Sequence, residues 1–396
     1  MRVLIYLPEE KLTPKGGPLA VGYYYHKEML RRGEQTFDFI HVDKKDEDFH
    51  RRGRAITSRL PQWMYKFQRL VRDILARRAL LSGKVLAPVM DYSKYDIIHF
   101  HEADQFYLER ENLKEYKGIV IYQSHSPLPW WQEKCTDISK WFDRLIPNMK
   151  EKMEMIDKWC FKRADYLIFP CPEAEEPYVQ NWPYYSYIKE NYRCKFRYVL
   201  TGIAPCIAGK TRAAVLSKYG IPNDDFVISY VGRHNTVKGY DLLKEIAELF
   251  FVEHSDVWVI SAGLESPFKR LNHPRWKEIG FTNDPHSLIN ASDVFVLPNR
   301  VTYFDIVMIE ILSLSKIVVA SRTGGNKYFE KMGLRGVLLY DTTEEAVEIL
   351  NKLKEMPKAE REEMGRSNYS FYKKYLTVES MYDSYLKVLN DIYKKG

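Results

Sequence analysis

The stretch that most limits what this chain can fold into runs from Asp293 to Gly325, DVFVLPNRVTYFDIVMIEILSLSKIVVASRTGG. It opens with the apolar run Val294–Leu297 and stops at Pro298-Asn299. A loop leads into an apolar, helix-like segment that carries a single carboxylate, Glu310, before the β-branched run Ile317–Ala320 and the pair Gly324-Gly325. A strand, loop, helix and strand in this span make a crossover between parallel strands. Glu310 stands among Ile309, Ile311 and Leu312. A carboxylate in such company needs a partner when buried. Two readings stay open for it: a helix-surface glutamate, or an acceptor for two hydroxyl hydrogen bonds of the kind a ribose offers.

A chain of 396 residues is too long for one ordinary core, so two domains are expected, with a break near 200–208. The first half alternates strand and helix, with strands expected at Val3–Leu7, Phe37–Val42, Asp96–His101, Gly118–Gln123 and Tyr166–Phe169. Between the first two lie Gly16-Gly17-Pro18 and a helix-like run, Leu19–Arg32. A strand, a Gly-rich turn and a helix bring backbone N–H groups to a phosphate, although a GGP turn alone is also a plain turn. His101 and His125 end successive strands, where open parallel sheets place their ligands. Residues 127–195 are dense in Trp and Tyr, which suit either sugar stacking or core packing.

In the second half, strand Val227–Val231 runs into Gly232-Arg233, and Lys238-Gly239 precedes a helix. One guanidinium and one ammonium across a tight loop can hold both phosphates of a diphosphate. Strands are also expected at Val257–Ala262 and Gly336–Tyr340. Thr342 and Glu345 form a capping-box pattern, and Ser367–Lys394 reads as a helical tail.

The net charge of +7 is local: residues 51–84 hold ten Lys/Arg against Asp73 alone, a surplus of nine, so the rest of the chain sums to −2. A patch, not general nucleic-acid affinity, is the consequence. From Gln62 to Ser82 the apolar positions Trp63, Phe67, Leu70, Val71, Ile74 and Leu75 recur at helical spacing, with Lys66, Arg69, Arg72 and Arg77 elsewhere. That is a basic amphipathic helix, packed as a surface helix or set to touch anionic lipid or an acidic acceptor. No apolar run reaches the roughly 18 residues of a spanning helix. Five cysteines without CxxC spacing predict reduced thiols, with neither disulfides nor a zinc site, and a cytoplasmic protein, optionally peripheral at the inner face of the membrane.

The Asp293–Gly325 stretch resembles the nucleotide-sugar-binding segment of the retaining glycosyltransferases of family 4, which have the GT-B fold. Their pattern is Glu, seven residues, Glu, with Pro-Phe-Gly after the first. Glu310 matches the second Glu, Phe304 the Phe, and Gly324-Gly325 the glycines beyond; the first Glu falls on Thr302 and the Gly on Asp305. Gly232, Arg233, Lys238 and Gly239 complete the family's G-R-x4-K-G element, and Ile279-Gly280-Phe281 resembles its base-binding loop. The match is strong over roughly 220–345 and loose over 1–130.

The resemblance implies an α/β chain with two doubly wound, Rossmann-like domains facing across a cleft. They would be an acceptor domain over 1–204, a donor domain over 205–366 and a helix over 367–396 crossing back. It implies transfer from a UDP- or GDP-linked sugar to a glycan, lipid-linked or protein acceptor, with retained configuration and no metal or other cofactor. Arg233 and Lys238 would stabilise the departing diphosphate, and His125, favoured over His99 and His101, would face the donor sugar. Glu310 would hold the ribose, with Gly16, Gly17, Gly232, Gly280, Phe281, Thr302, Phe304 and Asp305 lining the nucleotide sugar. Thr302 is shorter than Glu and uncharged; Asp305, three residues on, offers a carboxylate that could stand in for it. The same departure admits a catalytically silent subunit that binds a glycan or partner enzyme, and the same architecture admits a sugar-nucleotide epimerase.

Overall fold

The computed structural model describes residues 1–7, 12–14, 17–40, 62–82, 90–136 and 146–394, and the chain divides into two compact units. The first comprises Met1–Phe169, Tyr178–Tyr198 and Tyr385–Gly396, and the second Pro170–Pro177 and Val199–Ser384. Each contains a six-stranded parallel sheet.

In the first unit the strands are β1 (Val3–Tyr6), β2 (Phe37–Phe39), β3 (Ile97–Phe100), β4 (Ile119–Gln123), β5 (Tyr166–Phe169) and β6 (Phe196–Tyr198). They lie in the order β2-β1-β3-β4-β5-β6. All four residues of β1 and of β3 are buried, as expected of strands covered on both faces. The helix Gly17–Arg32 makes the crossover from β1 to β2. The sheet order reverses between β1 and β3, the two strands that flank the start of the winding.

The second unit has β7 (Phe226–Val231), β8 (Val257–Ala262), β9 (Trp276–Glu278), β10 (Val294–Leu297), β11 (Ile317–Ser321) and β12 (Val337–Tyr340). Their order, β12-β11-β10-β7-β8-β9, is that of a doubly wound dinucleotide-type sheet, reversing between β7 and β10. The expected crossover is present: β10 and β11 pair in parallel, Val294 opposite Ile317, joined through the helix Ile306–Ser313.

The alternation of β7 shows how the sheet is buried. Phe226, Ile228 and Tyr230 join one core with Tyr240, Leu243, Ile246 and Phe250 of the helix Tyr240–Glu253. Val227 joins a second core with Ile260, Leu216, Leu288 and Ala291 on the other face. Burying one such side chain contributes roughly 1.5–3 kcal/mol, so β7 is held from both sides.

Two expectations are corrected. The tail is two helices, Lys358–Tyr375 and Val378–Tyr393, not one. The break is made where Ile203 N donates to Leu376 O at 3.0 Å and Gly202 presses on the Thr377 carbonyl, so closely that a Cβ there would lie 2.1 Å from that oxygen. The short strand β9 had no counterpart in the sequence reading; three residues ending in a charge carry too little periodicity to mark it. The capping box is half formed: Thr342 Oγ1 accepts from Glu345 N, while Glu345 Oε2 accepts from Asp341 N instead of Thr342 N.

Candidate active site

The carboxyl ends of β7 and β10, at the reversal of the second sheet, carry the charged groups the motifs pointed to. β7 ends in Gly232-Arg233 and β10 in Pro298-Asn299. The two loops are pressed together. Gly239 has φ +62°, and a Cβ there would sit 1.7 Å from the Pro298 carbonyl oxygen, so this close approach requires glycine. Arg300 N also donates to Val237 O at 3.0 Å. The Thr302–Tyr303 backbone is packed in turn against Gly324 and Gly325; Gly324 has φ +47° and leaves no room for a Cβ below the Thr302 carbonyl.

The two cations differ in state. Arg233 is exposed, and its guanidinium makes no hydrogen bond or ion pair among the described residues. Lys238 is half-buried, and its Nζ donates to both oxygens of Asp305, at 2.8 and 2.7 Å. Asn299 Nδ2 donates to Thr302 Oγ1 at 3.0 Å and also to Asp305. Thr302 is buried, so its hydroxyl is part of this internal network. Asp305 immediately precedes the helix Ile306–Ser313 and makes no side-chain cap to it. Its carboxylate, the substitute for the missing Glu in the sequence reading, is thus already taken by Lys238. The helix start keeps its N–H groups clear of a side-chain cap, a setting that attracts anions.

Glu310 lies on that helix and is partly exposed. Its Oε1 is 3.5 Å from His286 Nε2, an ion-pair approach without hydrogen-bond alignment. Cys206 completes a cluster in which one ligand-type atom of each residue lies within 4.8 Å of the others. Cys206 and Glu310 beside it push His286 up to about 10. His286 was missed because neighbours eighty and twenty-four residues away in the chain leave no spacing pattern.

The ends of β8 and β9 close the rim. Gly263 N donates to Gly280 O at 3.0 Å, and Phe281 is 71% exposed. Phe304, by contrast, is a core residue: its ring is buried and stacks on Phe329 at 5.3 Å. Behind the loop, His234 is buried against Tyr240, and burial lowers it to about 4. Nearby Glu278 accepts from Tyr240 at 2.8 Å, and burial raises its carboxyl.

The family model described as glycosyl transferases group 1 matches residues 212–371, which span every second-unit group just placed except Cys206. Residues 212–371, in the second unit, are a glycosyl transferases group 1 domain. Its fold agrees with that of sucrose-phosphate synthase from Thermosynechococcus elongatus, with a TM-score of 0.64 at 15% identity over all of both chains. Anabaena HepE in complex with UDP superposes with a TM-score of 0.62 at 15% identity, covering 99% of this chain and all of that one. WaaG, a glycosyltransferase involved in lipopolysaccharide biosynthesis, gives 0.53 at 15% identity over 94% of this chain and 95% of its own. At these identities the likeness is one of fold, and that fold is GT-B. No curated protein sequence matches the chain significantly.

In the first unit of the glycosyltransferase the strand ends carry neutral rings instead of charges. His101 Nδ1 and His125 Nε2 share a hydrogen bond at 2.7 Å, and their rings stack at 5.0 Å. His99, one pleat back on β3, bonds Tyr385 OH through Nδ1 at 2.6 Å. Burial lowers all three, His125 to about 3, so each is an uncharged imidazole at neutral pH. His101 and His125 thus act as one unit. Gly17 opens the helix Gly17–Arg32, while Gly16 lies outside the described residues, as do 51–61 and 83–84 of the basic stretch. Trp130, Trp131, Trp182 and Tyr185 are buried, so these aromatics serve the core.

Proposed function

We propose that this glycosyltransferase moves a sugar, with retained anomeric configuration, from a UDP- or GDP-linked donor to a glycan, lipid-linked or protein acceptor. The setting would be synthesis of a surface polysaccharide or glycoconjugate of bacterial type. The observation that carries the reading is the pair Arg233 and Lys238 at the reversal of a doubly wound sheet, where ligands of such sheets bind. The Anabaena neighbour was solved with UDP and with UDP-glucose, and WaaG works in lipopolysaccharide synthesis.

Arg233 meets the diphosphate first, since nothing holds its guanidinium. Lys238 follows by exchanging Asp305 for a phosphate oxygen, so its charge is delivered only when an anion arrives. Two fixed cations then take the charge that develops on the leaving oxygen, the role a divalent ion has in other transferases. Gly232 lets backbone approach the donor, Gly280 and Phe281 meet the base, and Glu310 accepts from the ribose hydroxyls. Thr302 and the Phe304–Asp305 backbone border the sugar. The neutral His125, oriented by His101, donates a hydrogen bond to the donor sugar.

A peripheral membrane contact fits the helix Gln62–Leu81. Phe67, Val71 and Leu75 are exposed at four-residue spacing, a single stripe, with Arg72 and Arg78 exposed nearby. Phe67→Ala/Leu75→Ala protein is expected to lose sedimentation with anionic vesicles while keeping nucleotide binding.

The central test is a thermal-shift panel of nucleoside diphosphates and nucleotide sugars on native and Arg233→Ala protein. A shift in the native protein that disappears in the variant supports the reading. An equal shift in both removes the diphosphate from this loop.

A further inference from the structure

Cys206, His286 and Glu310 come from three separate segments, yet one ligand atom of each falls within 4.8 Å of the others. The segments are tied to one another by hydrogen bonds that do not involve the three side chains. Cys206 N donates to Ser313 Oγ at 3.2 Å, and Ser313 lies on the helix of Glu310, three residues on. His286 sits in the first turn of the helix Pro285–Ala291, which Asp284 caps by accepting from Ser287 N. Lys210 N donates to Ser287 Oγ at 2.8 Å, anchoring the Cys206 segment to that same turn. The His286 Nε2 atom has no solvent exposure and no aligned hydrogen-bond partner.

We infer that Cys206, His286 and Glu310 form a three-ligand site for a thiophilic divalent cation, zinc above all, with the fourth position open. A thiolate, an imidazole and a carboxylate are the donor set zinc prefers over magnesium or calcium. Tetrahedral zinc with bonds of about 2.0–2.3 Å places its ligand atoms roughly 3.5 Å apart. The His286–Glu310 separation already has that value, and Cys206 Sγ lies within 4.8 Å of both. On binding, the ion forms bonds to Sγ, Nε2 and a carboxylate oxygen. Any protons those atoms carry leave to solvent as the bonds form.

A bound ion has no step in the proposed sugar transfer, where Arg233 and Lys238 take the developing charge. Its consequence is inhibition. An ion on Glu310 takes the oxygen that the function proposed above assigns to ribose, so zinc and nucleotide exclude each other. This second step rests on that assignment, whereas the metal site itself does not.

The experiment uses the full chain, kept reduced and free of oxygen, with cobalt(II) as the probe. Native protein is expected to develop a thiolate-to-cobalt charge-transfer band in the near ultraviolet that saturates at one equivalent and is discharged by zinc. Cys206→Ser should lose the band and bind zinc roughly 100-fold more weakly in competition with a chromophoric chelator. Absence of the band in native protein, or its survival in Cys206→Ser, would overturn the site. His286→Ala, checked for folding by its melting curve, gives a second ligand test with the same expectation. Zinc should also weaken binding of the nucleoside diphosphate found to bind, in native protein and not in Cys206→Ser. If the band behaves as expected but nucleotide affinity is indifferent to zinc, the metal site stands and Glu310 leaves the ribose assignment.

Discussion

The two sheets share a parallel, doubly wound plan, but their strand ends carry opposite electrostatics. At the reversal between β7 and β10 stand Arg233, Lys238 and Asp305, all ionised groups with some access to water. At the reversal between β1 and β3, and at the end of β4, stand His99, His101 and His125, which burial keeps uncharged. The lesson concerns what each place can bind. Charged loops at the rim suit a diphosphate, whose charge needs fixed opposite charge. Neutral imidazoles suit hydroxyl-rich sugar, where a hydrogen bond is needed and a full charge would have to be desolvated. One architecture therefore supports two kinds of recognition, separated by burial depth and not by topology.

The sharpest way to break this contrast is to remove the free cation. Arg233→Ala is expected to lower kcat/KM by about 10²- to 10³-fold, on the order of 3–4 kcal/mol. His125→Ala should leave affinity for the free nucleoside diphosphate unchanged. Titration calorimetry with the diphosphate on both variants checks the pair; equal losses would erase the distinction between the two strand-end groups.

The uncharged interior of the first unit should show in stability against pH. Asp157 is fully buried, its Oδ2 accepting from Trp131 N at 3.0 Å, and burial pushes its carboxyl up to about 7. The unfolded chain releases this proton near pH 4, so between about 4 and 7 the folded state binds more protons than the unfolded one. The contribution is complete below about pH 4 and is lost as the pH rises through 7. Asp157→Asn should flatten that slope, on the order of 4 kcal/mol between pH 4 and 7, in urea unfolding at a series of pH values. A slope the variant leaves unchanged would place the buried charge elsewhere.

Two smaller effects sharpen the charged side. Glu310→Ala should weaken nucleotide binding by about tenfold while the fold persists, measured by calorimetry and melting temperature, as the loss of a charge-assisted hydrogen bond predicts. Asp305→Asn removes the competitor for Lys238 and should tighten diphosphate binding by about 1 kcal/mol, the scale of a partly exposed ion pair. Weaker binding in that variant would mean that Asp305 positions Lys238 instead of occupying it.

Much of the fold was legible because strands buried on both faces are written as unbroken apolar runs. Tyr166–Phe169, Val257–Ala262 and Val294–Leu297 have the limits expected of them. β9 escaped because Trp276–Glu278 is short and ends in a charge. The loop proposed to hold the diphosphate stands out in the sequence for a different reason. Gly232-Arg233 and Lys238-Gly239 are close in sequence, and their glycines answer a local steric need. Phe304 misled, because its place in the motif says nothing of where its ring points, and the ring enters the core beside Phe329.

By itself the sequence determined that the chain winds parallel strands with helices and that cations follow the first strand of its second half. Those properties are local, set by periodicity, glycine and the order of residues along a few turns. Only the tertiary structure decided that Lys238 faces Asp305 while Arg233 stays free, that His101 leans on His125, and that Cys206 meets His286 and Glu310. Such pairings join residues far apart in the chain. Their charge states follow from burial and from neighbours across space, which no spacing along a sequence encodes.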